Sequence, residues 1–399
     1  MPSLRLHVVT ALATFAATGG AHAQTPVAPV AQSTAINLQR DFLAITRQVL
    51  PSVVCVRTFV RDQPQEAPTT NAPTGVAPTN ATTAPNGWLA ETGTEREYPG
   101  FHPHGSASGF LVGDGTDVLT SLQPLRVGDE GFADVVEIEL HTGQHILCEV
   151  VGIEPTLQLA VLHTAVFFSW DQPPMPPMQF GDSELMELGS WLLAFGDPAG
   201  PERFLGTGLL AGKPARDCYQ ELLSAMYMQA TIAVHPGAYG GPLVDLDGKC
   251  VGMLSRMELG GALSTTSAWA LPSKILQGLY ESIRAAGTQR SPWLGISAMS
   301  RAEIATTRGL ATFQAMQKPK HGILLENVFD PSPAFAAGLR PGDFLTHMAG
   351  VEIHAPVDFQ RQLYLAGVSR KVTLRSWRDG AETTQELTIE ARPAAAKPK

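Results

Sequence analysis

The chain reads Gly237-Ala238-Tyr239-Gly240-Gly241-Pro242-Leu243-Val244 at its most informative turn. Only glycine lets a backbone curl this tightly and approach a substrate closely. A β-barrel hydrolase uses such a turn, leading into a strand, to direct backbone N–H groups at a developing oxyanion. An ordinary glycine-rich hairpin has the same composition. The residues around the turn therefore decide between these two interpretations.

Short apolar runs surround the turn from Ala107 to about Leu271, separated by Gly, Asp and Pro. This spacing is typical of an all-β sandwich or barrel. Amphipathic patterns predict helices over 36–49 and 273–286. The runs predicted as strands are 52–60, 109–112, 118–121, 135–140, 146–153, 159–163, 191–195, 227–234, 241–244, 251–255 and 267–271.

The composition describes a chain of several compact domains. Its 399 residues are 44% hydrophobic and 16% charged, which suits two or three domains with cores of their own. The 38 glycines and 31 prolines punctuate the sequence too often for a membrane bundle or a coiled coil. A net charge of −9 argues against affinity for nucleic acid or anionic lipid, because clustered Lys and Arg bind both.

The N-terminus has the pattern of a secretory signal peptide. Arg5 supplies the positive charge, residues 8–18 the apolar run, and Ala21-His22-Ala23 the cleavage site. We therefore expect a periplasmic or secreted protein with no membrane span after cleavage. The sequence leaves open whether the four cysteines form disulfides in that oxidising space or remain buried thiols. They are Cys55, Cys148, Cys218 and Cys250.

Changes in composition set the expected domain boundaries. A segment rich in Pro, Thr and Ala has little periodicity, as expected of a long loop. The organisation expected is a signal peptide (1–23), an N-terminal segment with the first strand (24–60), the loop (61–105), a barrel domain that contains this loop (35–287), a second domain (292–391) and a tail (392–399).

The motifs around the turn follow the order of a known family. They are Ser108-Gly109-Phe110-Leu111-Val112, Leu119-Thr120-Ser121-Leu122-Gln123, Gln158-Leu159-Ala160-Val161-Leu162, Leu193-Ala194-Phe195-Gly196-Asp197-Pro198 and Trp269-Ala270-Leu271-Pro272-Ser273. With them the region resembles the chymotrypsin-type protease domain of the HtrA, or DegP-like, family. The resemblance implies a mainly β fold, a chymotrypsin-like double six-stranded barrel.

The positions that match the family's catalytic triad carry other residues. The chain has Gln123, Gln158 and Tyr239 where the family has His, Asp and Ser. A triad needs a nucleophilic hydroxyl, an imidazole that accepts its proton and a carboxylate that orients the imidazole. Gln does not titrate, and a phenol with a pKa of about 10 stays protonated at pH 7. We therefore expect an inactive homologue, with a vestigial oxyanion-hole turn at Gly237 and Tyr239.

A relocated active site is the alternative. Its candidates are His102, His104, His235, Ser106, Ser108 and Ser121. His235 more simply replaces a polar residue of the family's turn. Two loop histidines without a matching Cys or carboxylate pattern make a weak metal site. We expect no metal and no cofactor.

The C-terminal part resembles an α+β PDZ domain of the circularly permuted bacterial type. The run from Pro331 to Leu345 contains Ser-Pro-Ala and Ala-Gly-Leu-Arg-Pro-Gly-Asp, which is close to the PDZ signature, and 357–365 resembles the helix beside the peptide groove. The resemblance implies a loop whose N–H groups bind a peptide's C-terminal carboxylate. Its residues are Trp293, Leu294, Gly295 and Ile296. An alternative stays open: the segment is a connector without a ligand, and Trp293 packs between the domains.

The function expected is that of a pseudoprotease. Its partners would be peptides or C-terminal segments of envelope proteins, bound for quality control or to regulate an active HtrA. The family resemblance implies assembly as a homotrimer or with that relative, through Phe42 and Leu43, although these side chains could equally cover the barrel. The alternative is an active serine-type endopeptidase with a non-standard site.

Overall fold

The structure is a computed structural model, and it describes most of the chain. The expected signal peptide, most of the 61–105 loop and Cys218 lie outside the described residues. The chain divides into two units, Met1–Leu43 and Ala44–Lys399. The described ranges are 29–62, 98–128, 131–164, 175–198, 203–213, 226–256, 258–259, 262–263, 266–286 and 291–393.

The first helix, α1, spans Pro29–Val49 and is longer than the predicted 36–49. Ile36, Leu38 and Leu43 are exposed on it. No helix among the described residues has the length and apolar character needed to cross a membrane.

Six antiparallel strands close the first barrel, in the order β1-β2-β3-β6-β5-β4. Val54, Leu111, Ile138 and Leu162 are fully buried in its core. Branched and aromatic residues suit such strands, since they pack well on a pleated surface. The strands are β1 (Val53–Arg61), β2 (Phe101–Val112), β3 (Asp117–Ser121), β4 (Val135–Glu139), β5 (His145–Glu154) and β6 (Leu159–Thr164). A short hairpin joins Arg126–Val127 to Gly131–Phe132.

A second six-stranded barrel follows, in the order β8-β9-β12-β11-β10-β7. Its core includes Leu192, Ala194, Leu243 and Leu254, and Tyr239 belongs to the same cluster. Helix α2 (Ser273–Ala286) ends the double barrel. The strands are β7 (Trp191–Gly196), β8 (Phe204–Gly212), β9 (Met228–Ala230), β10 (Pro242–Val244), β11 (Cys250–Ser255) and β12 (Ala268–Pro272), with a small hairpin of Glu258–Leu259 and Ala262–Leu263.

The structure corrects three sequence-based predictions. Residues 101–105 were expected in the loop, yet they extend β2 and pair with β1 across a bulge that accommodates Pro103. Strand β8 was not predicted, because its sequence Phe-Leu-Gly-Thr-Gly-Leu-Leu-Ala-Gly is rich in glycine, which is depleted in strands. Strand β9 is shorter than the predicted 227–234: Ile232 and Val234 are buried but lie outside the ladder.

The C-terminal domain is a sheet in the order β14-β15-β16-β18-β19, with β17 paired to β16 and β13 paired to β20. Leu294, Leu325, Leu345 and Leu363 lie in its core. The strands are β13 (Pro292–Trp293), β14 (Ile296–Met299), β15 (Ile323–Val328), β16 (Phe344–Met348), β17 (Val351–Glu352), β18 (Lys371–Arg378), β19 (Ala381–Thr388) and β20 (Glu390–Ala391). The helices are α3 (Arg301–Arg308), α4 (Leu310–Ala315), α5 (Pro333–Ala336) and α6 (Pro356–Ala366).

A buried carboxylate connects the first barrel to the C-terminal domain. Glu154, at the end of β5, accepts hydrogen bonds from the Ser291 hydroxyl at 2.8 and 2.9 Å and from the Tyr364 hydroxyl of α6 at 3.3 Å. The N–H of Thr156 donates to it at 3.1 Å. A buried charge needs such partners, because an unpaired one is strongly destabilising.

Three of the four cysteines are free thiols in the described part of the chain. Cys55 and Cys250 are buried, and Cys148 is half-buried. Burial raises the pKa of each thiol to about 12. These thiols are therefore poor nucleophiles and behave as small core residues.

Candidate functional site

The glycine-rich turn is held in place by Ser108, which is fully buried in β2. The Ser108 hydroxyl donates to the carbonyl of Gly237 at 2.7 Å and accepts from the N–H of Asp197 at 2.8 Å. Its own N–H donates to the carbonyl of Tyr239 at 3.0 Å. One side chain of the first barrel thus fixes two segments of the second.

The backbone N–H groups of the turn have acceptors within the turn itself. Residues Pro236–Ala238 form a single 3-10 turn. The N–H of Gly237 donates to Nδ1 of His235 at 3.1 Å, and the N–H of Tyr239 donates to the carbonyl of Pro236 at 3.4 Å. An oxyanion hole needs these donors to point at the substrate. In this conformation they point inward.

Gly240 shows why the turn needs glycine. Its φ is +88°, and an added Cβ would lie 2.2 Å from the carbonyl oxygen of Ser108 and 2.7 Å from the nitrogen of Ser121. Any other residue would therefore strain the backbone and separate the two barrels. The left-handed backbone and the close packing together account for this glycine.

The loop before β14 in the C-terminal domain has a different pattern. Leu294 and Gly295 accept through their carbonyls from the N–H groups of Ala334 (3.0 Å) and Phe329 (2.8 Å). Within the described residues, the N–H groups of Leu294 and Gly295 have no recorded acceptor. Gly295 has φ +77°, and an added Cβ would lie 2.1 Å from Cβ of Ser332. The loop is thus held by its two carbonyls and by the close packing of Gly295 against Ser332.

One edge of the sheet lies beside this loop. Strand β14 is paired only with β15 among the described strands. Ile296 and Ala298 are half-buried against the cluster that contains Phe359 and Leu363 of α6. An edge strand next to a helix can accept an extended peptide as an added strand.

Trp293 packs within the C-terminal domain. Its ring lies 6.4 Å from that of Phe329, and β13 pairs it with Glu390. It therefore stiffens the loop.

Comparison with known proteins agrees with this architecture. Residues 107–253 match the family model for a trypsin-like peptidase domain, and residues 293–389 match that for a PDZ domain. The protein named "Probable periplasmic serine endoprotease DegP-like" from Marinomonas sp. is 29% identical over 292 residues, covering 72% of this chain and 57% of the relative. The chain is a homologue of the DegP and HtrA proteins.

Other relatives of this HtrA homologue have the same coverage. The DegP-like protein of Chlamydia trachomatis is 25% identical over 286 residues, covering 72% of the chain and 54% of the relative. The chain thus spans little more than half of the curated relatives it matches. The solved structure "HtrA-type protease AlgW with decapeptide" has a TM-score of 0.60 at 21% identity, covering 88% of this chain and 98% of that one. At this identity the likeness supports the fold alone.

Gln123, Gln158 and Tyr239, the residues that the sequence analysis expects at the triad positions, are held by local contacts. Gln123 begins a 3-10 turn and is half-buried. Gln158 has φ +55°, and its side-chain amide donates to the carbonyl of Pro155 at 2.7 Å. The backbone carbonyl of Gln158 accepts a hydrogen bond from the N–H of Leu122 at 2.9 Å, which joins the segments of Gln123 and Gln158. The backbone thus brings the segments of Gln123 and Gln158 together, and neither of these side chains titrates.

Tyr239, the third of these residues, is only 5% exposed. Burial raises the pKa of its phenol, and the nearby charge of Arg256 opposes that shift. The phenol is therefore even less ionised at neutral pH than a free tyrosine. The side chain belongs to the core cluster of the second barrel.

The candidates for a relocated site have other roles. The Ser108 hydroxyl uses its proton and a lone pair in the contacts described above. His102 contacts Asp62 through Nδ1 at 2.9 Å, and His104 contacts the carbonyl of Arg126 through Nε2 at 2.7 Å. His235 uses Nδ1 as an acceptor. Ser106 and Ser121 are strand residues, paired with Arg57 and Leu159.

One His–Asp pair escaped the sequence analysis. Nδ1 of His163 lies 2.7 Å from Oδ1 of the buried Asp117. The same carboxylate accepts from the Tyr280 hydroxyl at 2.7 Å and from Nε of Arg284 at 2.9 Å, both on α2. Asp117 therefore anchors α2 to the first barrel. No sequence motif signals this pair, because its partners are far apart along the chain.

Proposed function

We propose that this HtrA homologue is a noncatalytic binding protein. It acts in the periplasm, the compartment that its relatives' names give. It binds peptides or unfolded segments of envelope proteins through its PDZ domain and the vestigial cleft. It serves protein quality control or regulates an active HtrA, either as a homotrimer or by assembling with that relative. Phe42 and Leu43 are the proposed assembly contacts.

The observation that carries the proposal is the chemistry of Gln123, Gln158 and Tyr239. These residues supply neither a proton acceptor nor a carboxylate, and their hydroxyl is a buried phenol with a raised pKa. In a well-studied hydrolase series, disabling the whole triad lowers turnover by a factor of about 10⁶, or roughly 8 kcal/mol in the activation free energy.

The turn adds a second obstacle to catalysis. Losing one donor of an oxyanion hole lowers turnover by about 10²–10³. Because the N–H groups of Gly237 and Tyr239 donate inside the turn, opening the hole would first require breaking these bonds. The obstacle is independent of the triad side chains.

Peptide binding is supported by the PDZ loop. The N–H groups of Leu294 and Gly295 form a pair of adjacent donors beside the edge strand β14. A carboxylate accepts hydrogen bonds from such donors, and the peptide's backbone extends the sheet. The AlgW structure, whose fold this chain shares, is named as a complex with a decapeptide, and we propose the same class of ligand for this chain.

The test is cleavage of casein and of fluorogenic peptides by the purified chain. We expect no turnover above a buffer blank, and none from Tyr239→Ser, because a serine without its base remains a poor nucleophile. Labelling by a fluorophosphonate serine probe should also be absent. Turnover by the wild-type chain that is lost in His235→Ala would replace the proposal with an endopeptidase that uses a non-standard site.

A further inference from the structure

Three side chains able to bind a metal converge at one end of the PDZ sheet. They are His321, just before β15, His347 on β16 and Glu352 on β17. One ligand atom from each lies within 4.8 Å of the other two. Two of these residues are half-buried and Glu352 is exposed. In the described part of the chain, this is the one group of His, Cys, Asp or Glu found close enough to hold an ion.

The pairing of the strands explains why these residues meet. His347 is directly opposite Glu352 in the ladder between β16 and β17. Strand β15 pairs Ile323 with Leu345, so continuing that register brings His321 opposite His347. Neighbouring strands lie about 4.8 Å apart, and residues in register share a face of the sheet. The three side chains therefore form a row across adjacent segments.

The histidines keep a ring nitrogen available for a ligand. Nε2 of His321 is buried and has no hydrogen-bond partner among the described residues. Nδ1 of His347 lies 3.1 Å from the Thr346 hydroxyl, which leaves its Nε2 free to coordinate. Metal-binding histidines commonly hold their second nitrogen by such contacts.

We propose that His321, His347 and Glu352 bind a divalent transition-metal cation of the Zn²⁺ class. Two imidazoles and one carboxylate are a donor set that Zn²⁺ accepts, with a fourth position for water or another ligand. His354 lies beside the group: its Nε2 is 3.1 Å from Glu352 Oε2, and its ring centroid is 5.0 Å from that of His321. Bonds of about 2.0–2.2 Å separate tetrahedral donors by roughly 3.4 Å. A bound cation would draw the three ligand atoms, now within 4.8 Å of one another, closer together.

The site lies next to a helix of the PDZ domain, so a bound cation would affect the stability of that region. Residues 353–355 connect Glu352 at the end of β17 to α6, the helix that borders the proposed peptide groove. The N–H groups of His354 and Ala355 donate to the Asp358 carboxylate in the first turn of α6 at 2.9 and 3.1 Å. A bound cation would join this connector to the segment before β15. It would therefore stabilise the PDZ domain at the start of the groove helix.

The proposal is tested by titrating the untagged full chain with ZnCl₂ after removal of metal by a chelator. Calorimetry at pH 7.5 should give one site per chain with a Kd of about 1 μM or below, since three protein ligands are in reach. His321→Ala and His347→Ala should each weaken binding at least about 100-fold, and Glu352→Gln about 10-fold or more. Co²⁺ in place of Zn²⁺ should give the visible absorption of a tetrahedral site in the wild-type chain.

His102→Ala is the matched control, because His102 also contacts a carboxylate, Asp62, at an exposed position. Its Zn²⁺ affinity should equal that of the wild-type chain. Glu352→Gln keeps the proposal testable if the histidine variants misfold. The Glu352 side chain is 53% exposed, so this substitution leaves the core intact. No saturable binding, or affinity that is unchanged in all three site variants, would overturn the proposal.

Discussion

Two short segments of this HtrA homologue use their backbone N–H groups in opposite ways. They are the turn at Gly237–Tyr239 in the second barrel and the loop at Leu294–Gly295 in the PDZ domain. The N–H groups of the turn donate to His235 and Pro236. Those of the loop have no recorded acceptor within the described residues. Both segments contain glycines whose substitution would cause a clash. A glycine-rich motif therefore indicates close packing by itself. Whether its N–H groups could bind a ligand depends on whether they already have acceptors in the fold.

The same two domains also treat a buried carboxylate differently. Asp197, next to the turn, is 8% exposed, and its ion-pair partner Arg203 lies at 3.5 Å. Burial raises the pKa of Asp197 to about 6 despite the opposing charge of Arg203. In the PDZ domain Asp343 is 1% exposed, and both of its oxygens accept from Arg378. Its second oxygen also accepts from the N–H of Arg340 at 2.8 Å.

The largest expected effect concerns the turn. The triple variant Gln123→His, Gln158→Asp, Tyr239→Ser restores the proton-handling groups, so we expect peptide cleavage to become measurable. Because the N–H groups of the turn still donate inward, its rate should remain about 10²–10³ below that of an active relative. Cleavage of a fluorogenic peptide measures the rates of the triple variant and of the active relative. Adding His235→Ala to the triple variant should raise its rate, because the change frees the Gly237 N–H. If the triple variant cleaved the peptide as fast as the active relative, the inward direction of the turn's N–H groups would not limit catalysis, and this interpretation would be wrong.

The next effect concerns the PDZ loop. Gly295→Ala should weaken binding of a fluorescent peptide with a free C-terminal carboxylate at least about 100-fold, because the added Cβ meets Ser332 and displaces the loop's donors. Gly367→Ala is the matched control: its φ is +78°, and no atom lies within 4 Å of the added Cβ. Fluorescence anisotropy measures both affinities. Equal losses in the two variants would mean that backbone strain, and not loop geometry, explains the result.

The smallest effect is on stability and depends on pH. The raised pKa of Asp197 means that the folded chain binds its proton more tightly than the unfolded chain does. Stability is therefore lost as pH rises from the unfolded pKa near 4 to the folded pKa of about 6, and the loss persists above that. Asp197→Asn removes this penalty, so it should raise the free energy of unfolding by roughly 1–3 kcal/mol at pH 8 and by much less at pH 4.5.

Asp343→Asn is the counterpart in the PDZ domain. It removes charge-assisted hydrogen bonds and should lower the free energy of unfolding by about 1–3 kcal/mol at pH 8. Urea denaturation at the two pH values measures both variants. Destabilisation by Asp197→Asn at pH 8 would show that the ion pair with Arg203 outweighs burial.

Much of the fold was predictable, because its signals are local in the sequence. The strand pattern predicted an all-β sandwich or barrel, and the family resemblance carried by the motifs implied the double barrel and the PDZ domain; both are confirmed. The β8 strand escaped prediction because its glycines weaken the pattern that its neighbours on both sides stabilise. The row of His321, His347 and Glu352 escaped because strand pairing, and not sequence spacing, brings these residues together.

The sequence alone determined the side-chain chemistry at three positions: Gln123 and Gln158 carry amides that do not titrate, and Tyr239 carries a phenol whose ordinary pKa of about 10 keeps it protonated at pH 7. Only the tertiary structure decided where the backbone donors point and which carboxylates are paired. The bond from Ser108 to Gly237 joins residues 129 positions apart. Such contacts exist only after both barrels close, because chain closure, and not local propensity, brings their partners within hydrogen-bonding distance.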